Sequence, residues 1–173
     1  LDAARTYYRH TEYEAPGIIG AEFRILDYNG FFNLIHTKKG IFTQGTLGTS
    51  FEYRDFNIGG FVFSPPTRSF NSAFYFTEEL RTFRRLSMEF SARYDYNSVK
   101  PEQIIQLANL DSVYSRSFNT FSVSLSSVLA IGKNLNAGLG LSRSSRVPTI
   151  EELFSDGPHL AAYSYEIGNP HLE

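Results

Sequence analysis

Between Leu86 and Tyr96 the chain alternates apolar and polar residues without a break for eleven positions. Leu86, Met88, Phe90, Ala92, Tyr94 and Tyr96 fall on one side, and Ser87, Glu89, Ser91, Arg93 and Asp95 on the other. Period two marks a strand, because successive side chains leave opposite faces of the backbone. A strand in a soluble sheet usually runs about 5–6 residues, whereas one crossing a bilayer within a barrel needs roughly 9–11. The length, the charges confined to one face and the tyrosines at one end of the other favour a strand that is wet on one side and meets lipid on the other.

The same pattern recurs. Leu135, Ala137, Leu139 and Leu141 alternate with Asn136, Gly138, Gly140 and Ser142, and Phe121, Val123 and Leu125 alternate with three serines. Thr43, Gly45, Leu47, Thr49, Phe51 and Tyr53 oppose Gln44, Thr46, Gly48, Ser50, Glu52 and Arg54. Phe70, Ser72, Phe74 and Phe76 mark a strand from about Ser69 to Glu78, and Ala4 to Glu14 forms an incoming one. Asn29-Gly30 is a type I′ hairpin signal. A hairpin there would leave Phe31 to Thr37 short for a bilayer, so a single strand from about Gly20 to Thr37, kinked at that dipeptide, is preferred over it.

Connections sort by length. Short turns are expected at Lys38-Lys39-Gly40, at Glu79 to Thr82 and at Ile131 to Asn134; longer links at Asn57 to Arg68, Ser98 to Ser115 and Ser144 to Tyr163. Alternation of tight turns with long loops is what an outer-membrane barrel does. The expected fold is therefore all-β, an antiparallel meander of about seven to nine long strands forming part of a transmembrane β-barrel, with one short helix near 150–154. With 16 Phe and 11 Tyr, the chain has the aromatics such a barrel uses for its girdles. The alternative is a soluble β-sandwich binding module, for carbohydrate for example. That fold would bury Phe74, Phe90 and Leu139 inside the monomer.

A net charge of -2 gives no basic field for nucleic acid, and the absence of cysteine excludes disulfides and thiolate clusters. GxSxG, P-loop and GxGxxG motifs are missing. Adjacent carboxylates at Glu78-Glu79 and Glu151-Glu152 are placed at a turn and in a capped helix, which does not suggest a glycosidase pair. The expectation is a protein that is not an enzyme and uses no cofactor.

The end of the chain carries the most specific stretch. Leu139-Gly-Leu-Ser-Arg143 leads into Arg146-Val-Pro-Thr-Ile-Glu-Glu-Leu-Phe154, then Gly157-Pro-His159 and Tyr165-Glu-Ile-Gly-Asn-Pro170. Thr149 and Glu152 have the spacing of a capping box, and Pro148 stops the preceding ladder. Gly157, Pro158, Gly168, Asn169 and Pro170 complete its set of structural residues. This order resembles a signature of the barrel of TonB-dependent outer-membrane receptors. Tyr8-Arg-His-Thr-Glu12, Phe63-Ser-Pro-Pro-Thr-Arg68 and Leu86 to Tyr96 look like counterparts in the branch that includes zinc and other metal-uptake receptors.

The resemblance implies a partial receptor barrel over residues 1–173, roughly a third of a barrel closing around 22 strands about a plug, with no plug domain or TonB box in the sequence. It implies a bacterial outer-membrane location, contact with outer-membrane lipid, and coupling to TonB through the missing plug. The imported nutrient would be an iron chelate (a ferric siderophore), haem or zinc. Ligand-capture candidates in the motif loop are Arg146, Glu151, Glu152, Asp156 and His159. For a metal, imidazole plus carboxylate points to His10, Glu12 and His159. The four histidines, which include His36 and His171, show no compact ligand spacing.

Overall fold

The computed structural model describes residues 1–102, 113–159 and 163–173. One antiparallel meander of seven strands dominates, each strand paired with its neighbours in sequence. The strands are β1 (Asp2–Ala15), β2 (Ile18–His36), β3 (Phe42–Gly60), β4 (Thr67–Phe83), β5 (Leu86–Pro101), β6 (Arg116–Ala130) and β7 (Asn136–Arg143). Beyond β7 come a single helical turn, α1 (Ile150–Phe154), and a small hairpin of β8 (Asp156–His159) with β9 (Ser164–Ile167). The seven-stranded sheet is open, with β1 and β7 at its edges.

Most strands exceed the alternating segments visible in the sequence, because pairing carries the ladders into less regular residues. Asn57 to Gly60, expected in a loop, belong to β3 and pair with Arg24 to Ala21 of β2. The expected turn at Glu79 to Thr82 is also displaced: β4 runs on to Phe83 and the reversal falls at Arg84-Arg85. Within β4 the adjacent Glu78 and Glu79 leave opposite faces, opposite Phe90 and Glu89 of β5. Asn29-Gly30 is no hairpin: β2 is one strand, as preferred from the sequence, and both its ladders pass the dipeptide without a register shift. Gly30 lies beneath a ring there; a Cβ would sit 2.8 Å from Phe51 Cε1 and 2.9 Å from Asp2 O.

The short turns at 37–41, Arg84-Arg85 and 131–135 share one end of the sheet, the turn end. The link 61–66, the end of β5 at Pro101, the start of β6 at Arg116 and the described residues of the motif stretch share the other, the loop end. A two-residue reversal at Pro16-Gly17, where Gly17 has φ +79°, is a short connection at the loop end. Of the expected link Ser98 to Ser115, residues 98–101 belong to β5, and 103–112 lie outside the described residues.

Register fixes what each face carries. On one face, Leu34, Leu47, Phe76, Ala92 and Val123 fall on a line across five strands, with Phe74, Tyr94 and Phe121 beside them. On the other lie Asn33, Gly48, Tyr75, Arg93 and Ser122, and then Thr77, Ser91, Ser124 and Ser142. The apolar face is bare: Phe74 is 53% exposed, Phe90 36% and Leu139 66%. A sandwich would cover those three side chains. An uncovered apolar face of this extent marks a surface made for lipid or a partner. Buried apolar residues gather instead in two small clusters at the loop end, one of Phe56, Ile58 and Phe63, the other of Val99, Phe118, Leu153 and Phe154. Phe56, Ile58, Val99 and Phe118 share the parity of the polar face, so both clusters sit inside.

Side chains also bridge across strands on the polar face. Tyr75 Oη donates to Asn33 Oδ1 at 2.7 Å, reaching from β4 to β2 over Gly48 of β3. A Cβ at Gly48 would fall closer than 3.0 Å to both partners. Gly48→Ala is therefore expected to lose the hydrogen bond and overpack the ring, at about 2 kcal/mol in all. Urea unfolding of the lipid-embedded protein checks this; an unchanged midpoint would mean that the bridge contributes nothing.

Candidate functional site

The motif stretch is built by local rules first. Thr149 caps α1: Glu152 N donates to Thr149 Oγ1 at 3.2 Å, and Thr149 N donates to Glu152 Oε2 at 2.8 Å. Pro148 just before the cap has no N–H to continue a ladder. Arg146 grips the same carboxylate bidentately, with both N···O distances 2.6 Å. These donors hold the Glu152 carboxyl down from its ordinary 4.5 to about 2, the Arg146 bond first and the Thr149 amide second. Because the folded value is depressed, this cap's contribution is full above about pH 4.5 and is lost as pH falls towards 2. The protection factor of the Leu153 amide, its exchange relative to an unfolded chain at the same pH, should therefore fall below about pH 4 in the native protein. Glu152→Gln should remove that pH dependence, and a pH-independent native profile would contradict the linkage.

Packing then fixes where the turn sits. Leu153 and Phe154 are both 0% exposed against Val99 of β5 and Phe118 of β6, with Val147 and Ile150 at the margin. The turn thus lies on the polar, inward face of the meander at the loop end. Backbone bonds lock the return: Asp156 N donates to Phe63 O at 2.8 Å, Gly168 N to Ser155 O at 2.7 Å and Asn169 N to Glu152 O at 2.7 Å. Gly168 must lack a side chain, since a Cβ would be 2.6 Å from Leu153 C and Phe154 N. Gly157 lies against Phe63, and Pro158 pairs with Tyr165 in the small hairpin. Arg116 of β6 donates to the carbonyls of Pro170 and Leu172, an anchor that no sequence pattern announced.

Two expectations are corrected here. The helical turn falls at Ile150–Phe154 as anticipated, but within the expected link Ser144 to Tyr163 residues Asp156–His159 form a strand. The link Asn57 to Arg68 was anticipated as a long polar connection, but Ser64, Pro65 and Thr67 are fully buried and Phe63 packs under the hairpin.

The sequence-named ligand and metal candidates do not converge on one point. Arg146 and Glu152 are committed to each other, and Glu151 is exposed in the first turn of α1. Asp156 accepts from Tyr165 Oη at 3.2 Å, and this bond holds the phenol above its ordinary pKa. His159 Nδ1 is 2.8 Å from Glu166 Oε1, while its ring stacks on Phe63 at 4.7 Å. His10 lies 3.6 Å from Glu12 and stacks on Phe23, which in turn meets Phe63 edge-on. The two histidines therefore stand at opposite ends of an aromatic row. Glu12 and His159 do line one cleft of about 430 Å³, with Tyr13, Tyr163 and Tyr165. Among the described residues, no group of three His, Cys, Asp or Glu is assembled to hold a metal. Below Arg146 the inward face offers a second, polar cleft lined by Asn71, Arg93, Asp95, Asn97 and Thr120.

A meander with an apolar outer face, a polar inner face and a motif folded inward over its loop end defines part of a membrane barrel. The family model of the TonB dependent receptor-like β-barrel matches residues 2–173, and the chain belongs to that family. No curated protein and no solved structure matched the chain. In general, members of this family reside in the bacterial outer membrane and work with TonB.

Proposed function

We propose that this barrel segment serves an active transporter that imports a scarce nutrient, a ferric siderophore, haem or zinc, across the outer membrane. The observation that carries the reading is the anchoring of Arg146 to Pro170. Leu153, Phe154 and the Gly168 and Asn169 amides fold the stretch over the inward face, at the end where the long connections meet. A ligand entering there passes the Glu12–His159 cleft and then the Asn71–Arg93–Asp95 cleft. The likeness of Tyr8 to Glu12 and of Phe63 to Arg68 to metal-uptake receptors inclines the reading towards zinc. Transport proceeds by gated binding and plug rearrangement driven through TonB, with no bond-breaking step in this chain. Deleting the gene for the full-length receptor is expected to slow growth under iron, haem or zinc limitation, with uptake of the matching labelled nutrient lost. Unchanged growth and uptake in all three conditions would overturn the proposal.

A further inference from the structure

His36 and Glu78 are out of place. Both have the parity of the apolar face, beside Leu34 on β2 and beside Phe76 on β4 and Phe90 on β5. Charged groups on the lipid face of a barrel are destabilising near the midplane and tolerated towards the interfaces. His36 is the last residue of β2, next to the turn at 37–41, and Glu78 on β4 has Leu80, opposite Phe42 and Met88, on its turn side, so the pair stands near the turn end of the apolar band. Short turns are periplasmic in such barrels, which places the pair at the periplasmic leaflet.

The pair reaches across a whole strand. His36 Nε2 lies 3.0 and 3.1 Å from the two Glu78 carboxylate oxygens, over Gly45 of β3, and His36 Nδ1 lies 2.9 Å from Thr37 O. A carbonyl only accepts, so Nδ1 carries a hydrogen; the Nε2 contact then requires a second proton shared with Glu78. In its ion-paired form the pair sets a cation, His36, beside the cationic turn Lys38-Lys39 and an anion, Glu78, two strands away on β4. Gly45 contributes no side chain, and a Cβ there would collide with both partners, so a hollow of about 270 Å³ opens beside the pair. Its walls are Leu34, Leu47 and Phe76, each two residues nearer the loop end than His36, Gly45 and Glu78 respectively. Within the hollow the polar groups therefore lie nearer the turn end and the apolar walls towards the membrane centre. That is the polarity of a phospholipid in the same leaflet.

We infer that the His36–Glu78 hollow is a binding site for a phospholipid with a primary-amine, zwitterionic headgroup. The ammonium donates to the free lone pairs of Glu78, the phosphate meets the His36 and Lys39 side, and an acyl chain lies along Leu34, Leu47 and Phe76. The inference rests on the placement of the barrel in a membrane and is independent of which nutrient is imported.

The test uses the full-length receptor reconstituted in vesicles of mixed phosphatidylethanolamine, phosphatidylcholine and phosphatidylglycerol, extracted gently and weighed by native mass spectrometry. Phosphatidylcholine is the informative competitor, because its trimethylammonium has no N–H to donate. The retained lipid should be enriched in phosphatidylethanolamine by about tenfold over the other two, the ratio that one charge-assisted hydrogen bond supports. Glu78→Gln should bring the ratio near one, and so should Gly45→Val, which leaves both charged groups and fills the hollow. Equal retention of the three lipids by the native protein overturns the inference, as does enrichment that survives both substitutions. If Glu78→Gln fails to insert, the native ratio and Gly45→Val decide the matter.

Discussion

Phe74→Arg is expected to destabilise the full-length receptor in lipid vesicles by about 2–4 kcal/mol, the cost of a cation near the midplane of a barrel's outer face. Phe74 sits near the middle of β4, with Thr49 and Tyr94 opposite it, and it is 53% exposed. In water such a position would tolerate the change within about 0.5 kcal/mol, because surface substitutions away from special features cost little. The matched control is Ser124→Arg on the inward face, opposite Ser91 and Ser142, where water solvates the guanidinium. Its expected cost is under about 1 kcal/mol. Urea unfolding midpoints in vesicles, with electrophoretic heat-modifiability as a second readout, separate the two variants. Equal and small effects would show that the apolar face does not meet lipid. Equal and large effects would mean that both faces are packed against protein.

Much of this architecture was legible because period two is local. Leu86 to Tyr96 announced β5 and the sorting of its faces, and the alternations around Thr43, Phe121 and Leu135 announced three more strands. What escaped depends on register, which no window of sequence holds. Glu79 was read as the start of a turn because the apolar alternation ends at Phe76, yet Glu78 and Glu79 continue the strand on opposite faces. Asn57 to Gly60 looked like loop because Gly59-Gly60 has little strand preference, yet β2 supplies the partners. In the motif the division is the same. The Thr149–Glu152 box spans three residues and was readable. The Phe63–His159 stack, the Arg116 bonds to Pro170 and the burial of the 61–66 link join distant segments and were not. The His36–Glu78 bridge, 42 residues apart across a glycine, left no trace in the pattern.

Phe154→Ala is expected to cost about 3–5 kcal/mol, the range for truncating a buried phenylalanine, and the loss falls on the motif and not on the sheet. The seven-stranded ladder is held by its own register, whereas Arg146 to Pro170 is held by the Leu153–Phe154 cluster, the Arg116 anchor and the backbone bonds to Phe63 O, Ser155 O and Glu152 O. A deficit of that size is enough to populate local opening. Gly168→Ala should act alike, because its methyl would strike the Leu153–Phe154 peptide. Arg146→Ala should be milder, because the Arg146–Glu152 pair is exposed and solvent screens it. Hydrogen exchange and limited proteolysis over residues 146–170, alongside uptake of labelled nutrient, read all three. In Phe154→Ala and Gly168→Ala the stretch should lose protection while heat-modifiability of the barrel persists, and uptake should fall with it. Wild-type uptake from a receptor whose motif is demonstrably released would mean that docking of this stretch over the inward face plays no part in capturing the ligand.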